Sequence, residues 1–236
     1  MQHAVIKPTN KLMNQDDGSE WLACFDEFIT QHGYPCVGAK IARNKRRIEL
    51  HKFRDISSEK DDEAILHCIY QFISQFKQQN DIFFSLVCVF PGSDTGSDAG
   101  FERALWARLQ ALHNKDSKRF NWDSRVSDIP AETHFSFSLG GEAFFIIGLN
   151  PYSQRKSRQF RYPAIVFNLH NQFEQLKEQN KFYSMRQQIR KNDAVFCGKP
   201  NPVLADHGEV SEARQYSGRA VGAEWRCPFS ARRHNE

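Results

Sequence analysis

The segment 206–229 combines carboxylates, arginines, aromatic rings, glycines and a cysteine without the periodicity of a helix or a strand. Its chemically versatile members are Asp206, Glu209, Glu212, Arg214, Tyr216, Arg219, Trp225 and Cys227. Loops with this kind of composition carry binding and catalytic groups more often than scaffolding. We therefore expect a functional site that includes this segment.

His170 is the most suggestive single residue, because it lies where a predicted strand meets a predicted helix. An imidazole at such a junction projects into a cleft, and Glu174 lies one helical turn later on the same face. The pair suits an iron ligand or a general base. The alternative is a histidine at a helix start that bonds to nearby backbone.

Cys227 is the competing candidate for a metal ligand. A thiolate beside Arg226 and before Pro228 is able to coordinate iron, and the alternative is a small buried core cysteine. The six cysteines include no C-x-x-C pair, which argues against a structural zinc site and a disulfide framework. Because C-x-x-C-H is absent, the usual covalent attachment of c-type haem is excluded.

A basic loop follows a predicted strand and places four cations within seven residues: Arg155, Lys156, Arg158 and Arg161. Forked guanidinium groups clamp carboxylates or phosphates, whereas a solvated surface loop is the alternative. Arg214 and Arg219 pose the same choice, and nearby Glu212 is able to neutralise one of them.

Composition excludes several classes of protein. A net charge of +4 with mixed signs makes nucleic acid an unlikely partner. The sequence shows no signal peptide and no membrane span, so we expect a cytoplasmic protein. Phosphate-loop, dinucleotide-binding, H-E-x-x-H and G-x-S-x-G motifs are absent.

Hydrophobic periodicity predicts the elements that must position these residues. The predicted helices span 21–29, 62–78, 99–113 and 169–191, with one helical turn near 211. Two predicted hairpins join 36–42 to 47–53 and 135–139 to 143–149, and further strands lie at 82–90, 164–168 and near 220. We expect an α+β fold, a single domain over 18–229 with a largely antiparallel sheet covered by helices, flanked by a flexible arm (1–17) and tail (230–236).

The chain resembles the YqcI/YcgG family over most of its length. The similarity rests on segments 34–39, 101–113, 137–141, 148–151, 167–174, 201–202 and 225–229, and on the run Ser-Glu-Ala-Arg-Gln-Tyr-Ser-Gly-Arg at 211–219. One branch of this family comprises haem-dependent enzymes that N-hydroxylate guanidine groups. His207 departs from the family pattern, in which an aromatic residue often occupies this position.

The resemblance implies a set of roles. Noncovalent haem b would place its iron on His170, with Cys227 as the alternative ligand. Arg155, Arg158 and Arg214 would pair with the haem propionates, and Tyr216 and Trp225 would contact the cofactor. Glu174 and Glu212 would be the catalytic carboxylates, with Asp206 and Glu209 as further candidates for pairing with a guanidinium.

The implied partners are O2, a small guanidine-containing substrate and an electron-donating reductase, with a homodimer as a further expectation. Two other classes stay open. One is a haem-binding sensor or carrier without turnover, and the other is a haem-free binding protein for an anionic partner.

Overall fold

A five-stranded sheet forms the centre of the protein, in a computed structural model that describes residues 20–79, 82–201 and 210–232. The strands are β1 (Ile48–Lys52), β2 (Ser85–Val89), β3 (Phe137–Leu139), β4 (Glu142–Leu149) and β5 (Ala164–Leu169). They are ordered β1-β2-β5-β4-β3, and every neighbouring pair is antiparallel except β1 and β2. The predicted α+β fold with a largely antiparallel sheet is confirmed.

Two long helices cover one face of the sheet. They are α3 (Asp62–Gln78), which has the predicted bounds, and α4 (Asp98–Asp116), whose start is capped by Ser97. Ser97 Oγ accepts a hydrogen bond from the Gly100 backbone N–H at 3.0 Å. We call the resulting hydrophobic cluster the α3/α4 core; it includes Phe72, Leu105, Trp106, Phe144, Phe167, Tyr216 and Phe229.

The opposite face carries four helices: α1 (Glu20–Thr30), α2 (Val37–Asn44), α5 (Asn171–Glu178) and α6 (Phe182–Cys197). A second cluster there includes Trp21, Phe25, Ile29, Leu50, Val87, Leu149 and Val166. No helix in the described ranges is long and apolar enough to cross a bilayer.

The predicted hairpin at 36–53 is wrong in its first half, because residues 37–44 form α2. Cys36 caps this helix, its Sγ accepting from the Ala39 backbone N–H at 3.3 Å. Arg43 then pairs with Asp26 of α1 at 2.7 Å, which ties the helix to its neighbour. The second predicted hairpin is confirmed as β3–β4, with Gly140 and Gly141 at φ of 62° and 74°.

The predicted helix at 169–191 is also wrong, since two helices occupy this stretch. Leu169 ends β5, α5 follows, and Asn180 at φ of 56° separates α5 from α6. Asparagine tolerates this left-handed conformation better than most residues, so it ends one helix and redirects the chain.

The C-terminal segment matches its prediction in part. The helical turn predicted near 211 is α7 (Ala213–Tyr216), whereas no strand forms near 220. The predicted arm at 1–17 and the tail residues 233–236 lie outside the described residues.

Candidate functional site

A cavity of about 360 Å³ lies between the sheet and helices α1, α2, α5 and α6. Side chains from the strands form its floor: Ile48, Ser85, Val87, Phe145, Ile147, Leu149, Val166 and Asn168. Helix side chains form its walls, among them Phe25, Ile29, Phe173, Leu176, Phe182, Met185 and Ile189. A largely apolar enclosure of this volume is typical of small-molecule and cofactor sites.

His170 lines this cavity at the junction of β5 and α5. Its backbone N–H donates to the Ala143 carbonyl of β4 at 2.8 Å, so the residue is tied to the sheet as well as to the helix. Its Nδ1 lies 3.8 Å from Glu174 Oε1, and its Nε2 lies 3.8 Å from Glu212 Oε1. The imidazole is therefore set between two carboxylates.

Glu212 also lines the cavity, with a side chain that is only 10% exposed. It lies just before α7, and its Oε2 is 3.2 Å from Ser136 Oγ. A buried carboxylate at a cavity wall favours a cationic ligand, because charge-assisted hydrogen bonds gain strength away from water. Glu174 differs, since its side chain is 46% exposed, pairs with Lys177 at 2.7 Å and does not line the cavity.

Arg158 reaches the cavity, but backbone carbonyls engage its guanidinium. It donates to Gly148 O at 3.0 Å and to Gln215 O at 3.4 Å, which fastens the basic loop to β4 and α7. Burial lowers the pKa of this guanidinium.

Arg155 lies outside the cavity lining and forms a buried ion pair with Asp193 of α6. Its guanidinium also donates to the Lys199 and Pro200 carbonyls at 3.2 and 3.3 Å. The basic loop is thus anchored to the end of α6, and the structure does not bring Arg155 together with His170.

Four other predicted site residues belong to the α3/α4 core or pack beside it, and none of them lines the cavity. Tyr216 is fully buried there and accepts from the Phe137 backbone N–H at 3.1 Å. Arg214 lies over the Trp225 ring, 5.7 Å from its centroid. Burial raises the pKa of Cys227 to about 12, which keeps the thiol protonated near neutral pH. Asp206, His207 and Glu209 lie outside the described residues.

Sequence reasoning assigned no functional role to the cavity face of α6. Its residues Phe182, Met185, Arg186, Ile189, Arg190 and Asp193 recur every three or four positions and all line the cavity. The helical spacing of these residues was visible in the sequence. The prediction of one continuous helix over 169–191, however, assigns these residues to the wrong side of the helix. Arg186 and Arg190 therefore present two guanidinium groups one helical turn apart, with Lys177 of α5 as a further cation in the lining.

The donor set decides which kind of metal the site fits. Within the described ranges, no group of three or more His, Cys, Asp or Glu side chains is arranged to hold a metal ion. His170 is the histidine in the cavity lining, and haem iron is a metal that takes a single imidazole from the protein because the macrocycle supplies its other donors.

The fold and the site define an α+β protein with a largely apolar, histidine-lined cavity in the part of the chain that the structure describes. The sequence profile of the YqcI/YcgG family matches residues 25–230, and the chain belongs to this family. The chain is similar to the uncharacterized protein YqcI of Bacillus subtilis (strain 168), with 29% identity over 121 residues. That match covers 49% of this chain and 47% of the relative, about half of each protein. No solved structure matches the chain significantly.

Proposed function

We propose that this protein is a haem-dependent monooxygenase that N-hydroxylates the guanidine group of arginine or of an arginine-derived small molecule. The observation that carries the proposal is a largely apolar cavity that is lined by one imidazole, His170, and by one buried carboxylate, Glu212. One group suits the iron of a cofactor and the other suits a guanidinium cation.

The residues around the cavity fit haem b. His170 is the proposed iron ligand, and Glu174 near Nδ1 is placed to orient the ring. The aromatic and aliphatic walls shield a hydrophobic macrocycle from water. For the propionates, the lining offers Arg186, Arg190 and Lys177, in addition to Arg158.

Glu212 is the proposed substrate-binding carboxylate. A guanidinium presents its N–H groups as a planar fork that matches the two oxygens of a carboxylate. The nearby Ser136 hydroxyl, 3.2 Å from Oε2, helps to hold the carboxylate in place. Glu212 would orient the guanidinium through charge-assisted hydrogen bonds.

When bound, the haem supplies the activation of dioxygen with two electrons from a reductase. The overall reaction consumes one O2, two electrons and two protons, converts one guanidine N–H into N–OH, and releases one water. The chain's own contribution is to bind, orient and desolvate the reacting nitrogen.

The test is oxygen- and reductant-dependent hydroxylation of arginine and related guanidines by haem-loaded protein, with isotopically heavy dioxygen to trace the added atom. We expect Glu212→Gln to keep the haem spectrum and to lower turnover by at least about tenfold, because one charge-assisted contact is worth about 1.5–3 kcal/mol. Glu178→Gln is the matched control, since that carboxylate is exposed and lies outside the lining.

Two results would point to the other classes. Haem binding without any oxygen-dependent product would favour a sensor or carrier. Protein that takes up no haem but binds small anions through α6 would favour the haem-free binding protein. The reductase, the homodimer and the cytoplasmic location remain predictions.

A further inference from the structure

A second cluster of reactive side chains lies apart from the cavity, where the edge strand β1 meets α3. Cys68 Sγ of α3 is 3.5 Å from His51 Nδ1, and His51 Nε2 is 3.8 Å from Glu49 Oε2. The imidazole is 3% exposed, the Glu49 side chain is 22% exposed, and Cys68 is partly exposed. Thiol, imidazole and carboxylate follow one another in the order of an activated nucleophile.

The local structure fixes this order. Side chains two apart on a strand share a face, so Glu49 and His51 both point away from the cavity side occupied by Ile48 and Leu50. The His51 ring also stacks on Phe53, with centroids 6.4 Å apart. The imidazole is therefore restrained between the thiol and the carboxylate.

Electrostatics favour a charged imidazole at this position. Burial opposes the charge, but the hydrogen bonds with Cys68 and Glu49 outweigh burial and raise the pKa of His51 to about 9. An imidazolium 3.5 Å from the Cys68 sulfur is within reach of a nucleophile and of its leaving group.

Cys88 provides an internal contrast. It is aligned with His51 across the β1–β2 pair, yet it is fully buried, and burial raises its pKa well above the ordinary value. Cys88 should remain an unreactive thiol, so a stable Cys68–Cys88 disulfide is not the expected product.

We propose that Cys68 is a site of reversible oxidation by small hydroperoxides, activated by His51 and Glu49. The thiolate attacks a peroxide oxygen, the O–O bond breaks and an S–O bond forms. The sulfur is oxidised to a sulfenic acid, while the leaving oxygen takes a proton from His51 and departs as water or an alcohol. A small-molecule thiol then condenses with the sulfenic acid, giving a mixed disulfide and water, and a second molecule of this thiol releases the Cys68 thiolate by thiol–disulfide exchange.

The experiment treats the full-length protein with hydrogen peroxide at neutral pH and traps sulfenic acid with a 1,3-dione probe. Mass spectrometry then gives the labelling rate of each cysteine. Cys197 is the internal reference, because it is partly exposed and its Sγ lies 3.4 Å from an Asp193 carboxylate oxygen rather than beside an imidazole. We expect Cys68 to react about tenfold faster than Cys197.

Variants separate activation from exposure. His51→Gln should reduce the Cys68 rate to that of Cys197, and alkylation by iodoacetamide should show the same loss. Because His51 is buried, the milder Glu49→Gln variant is included. This variant should lower the labelling rate of Cys68 about threefold, since it removes the negative charge beside the His51 imidazole. Glu27→Gln, an exposed change on α1, should have no effect.

Equal rates at Cys68 and Cys197 in the unmodified protein would overturn the proposal without reference to any variant. An unchanged Cys68 rate in folded His51→Gln protein would do the same, as would preferential labelling of Cys88. The proposal does not depend on haem, since alkylation reports thiolate character alone.

Discussion

At the scale of single residues, the predicted and observed cations differ in where they lie relative to the cavity. Arg155 pairs with Asp193 outside the lining, whereas Arg158 lines the cavity and donates to carbonyl groups. Arg186 and Arg190 line the cavity from α6. We therefore propose that Arg186 and Arg190 take part in the anion-binding role that the resemblance assigns to the basic loop.

We predict that the double variant Arg186→Gln/Arg190→Gln retains haem less tightly than the unmodified protein. Each lost charge-assisted contact with a propionate costs about 1.5–3 kcal/mol, so haem affinity should fall at least tenfold. Competition for haem by apomyoglobin measures the change. Arg103→Gln, an exposed change on α4, is the control.

Replacing Arg155 should lower the free energy of unfolding rather than the affinity for haem. Arg155→Gln leaves the buried Asp193 carboxylate without its cationic partner, and breaking such a pair costs about 3–5 kcal/mol. If Arg155→Gln lowered haem affinity as much as the double variant does and left the free energy of unfolding unchanged, the propionates would be assigned to the basic loop instead.

Residue identity in the sequence drew attention to His170 and Glu212 because their chemistry stands out from their surroundings, and both line the cavity. It misplaced Tyr216 and Trp225, whose rings serve the α3/α4 core. Hydrophobic cores and cofactor sites both contain aromatic residues, so residue type alone does not separate the two roles. Only the packing in the structure distinguishes them.

At the scale of elements, the apolar period of α3 predicted its bounds because a continuous stripe faces one neighbour. The sequence before β1 did not predict α2, since its small residues favour no single conformation and a cap together with the Arg43–Asp26 pair decides the outcome. The break at Asn180 was equally hidden. Because Asn180 adopts the left-handed conformation, α6 does not continue the helical periodicity of α5. A prediction of one continuous helix therefore misassigns the residues of α6 that face the cavity.

The contact of α4 with β4 gives an element-scale prediction. A Cβ at Gly148 would lie 2.7 Å from Phe101 Cε1 and 2.9 Å from the Tyr216 carbonyl oxygen. Gly148→Ala should therefore separate the helix from the strand and destabilise the protein by about 1–3 kcal/mol in urea unfolding.

Gly222→Ala is the matched control, because a Cβ there meets no heavy atom within 4 Å. Equal unfolding midpoints for the two variants would contradict the close packing of α4 on β4.

At the scale of the whole molecule, two buried histidines impose opposite pH dependences on stability. Burial lowers the pKa of His113 to about 4, below the ordinary value of about 6.5. Between these values the unfolded ring binds a proton and the folded ring does not, so stability falls as pH decreases from about 6.5 to about 4.

His51 acts in the other direction. Despite the opposing effect of burial, hydrogen bonds with Cys68 and Glu49 raise its pKa to about 9. Its stabilisation is complete below about 6.5 and is lost as pH rises toward about 9. We expect the two groups together to place maximal stability near pH 6.5, on the order of the free histidine pKa.

Urea unfolding at a series of pH values tests this expectation. His113→Gln should flatten the acidic limb, whereas exposed His134→Gln should leave it unchanged. An acidic limb that persists unaltered in folded His113→Gln protein would assign it to other groups.

The central claim is that the cavity binds haem through His170, and spectroscopic titration of the purified protein with haem b tests it most directly. We expect a Soret band in the unmodified protein and in Cys227→Ala, with a histidine-type ferrous carbon-monoxide spectrum in both. His170→Ala should lose the haem or its five-coordinate character. Protein that stays colourless after titration would contradict the claim, as would a strongly red-shifted, thiolate-type carbon-monoxide band abolished only by Cys227→Ala.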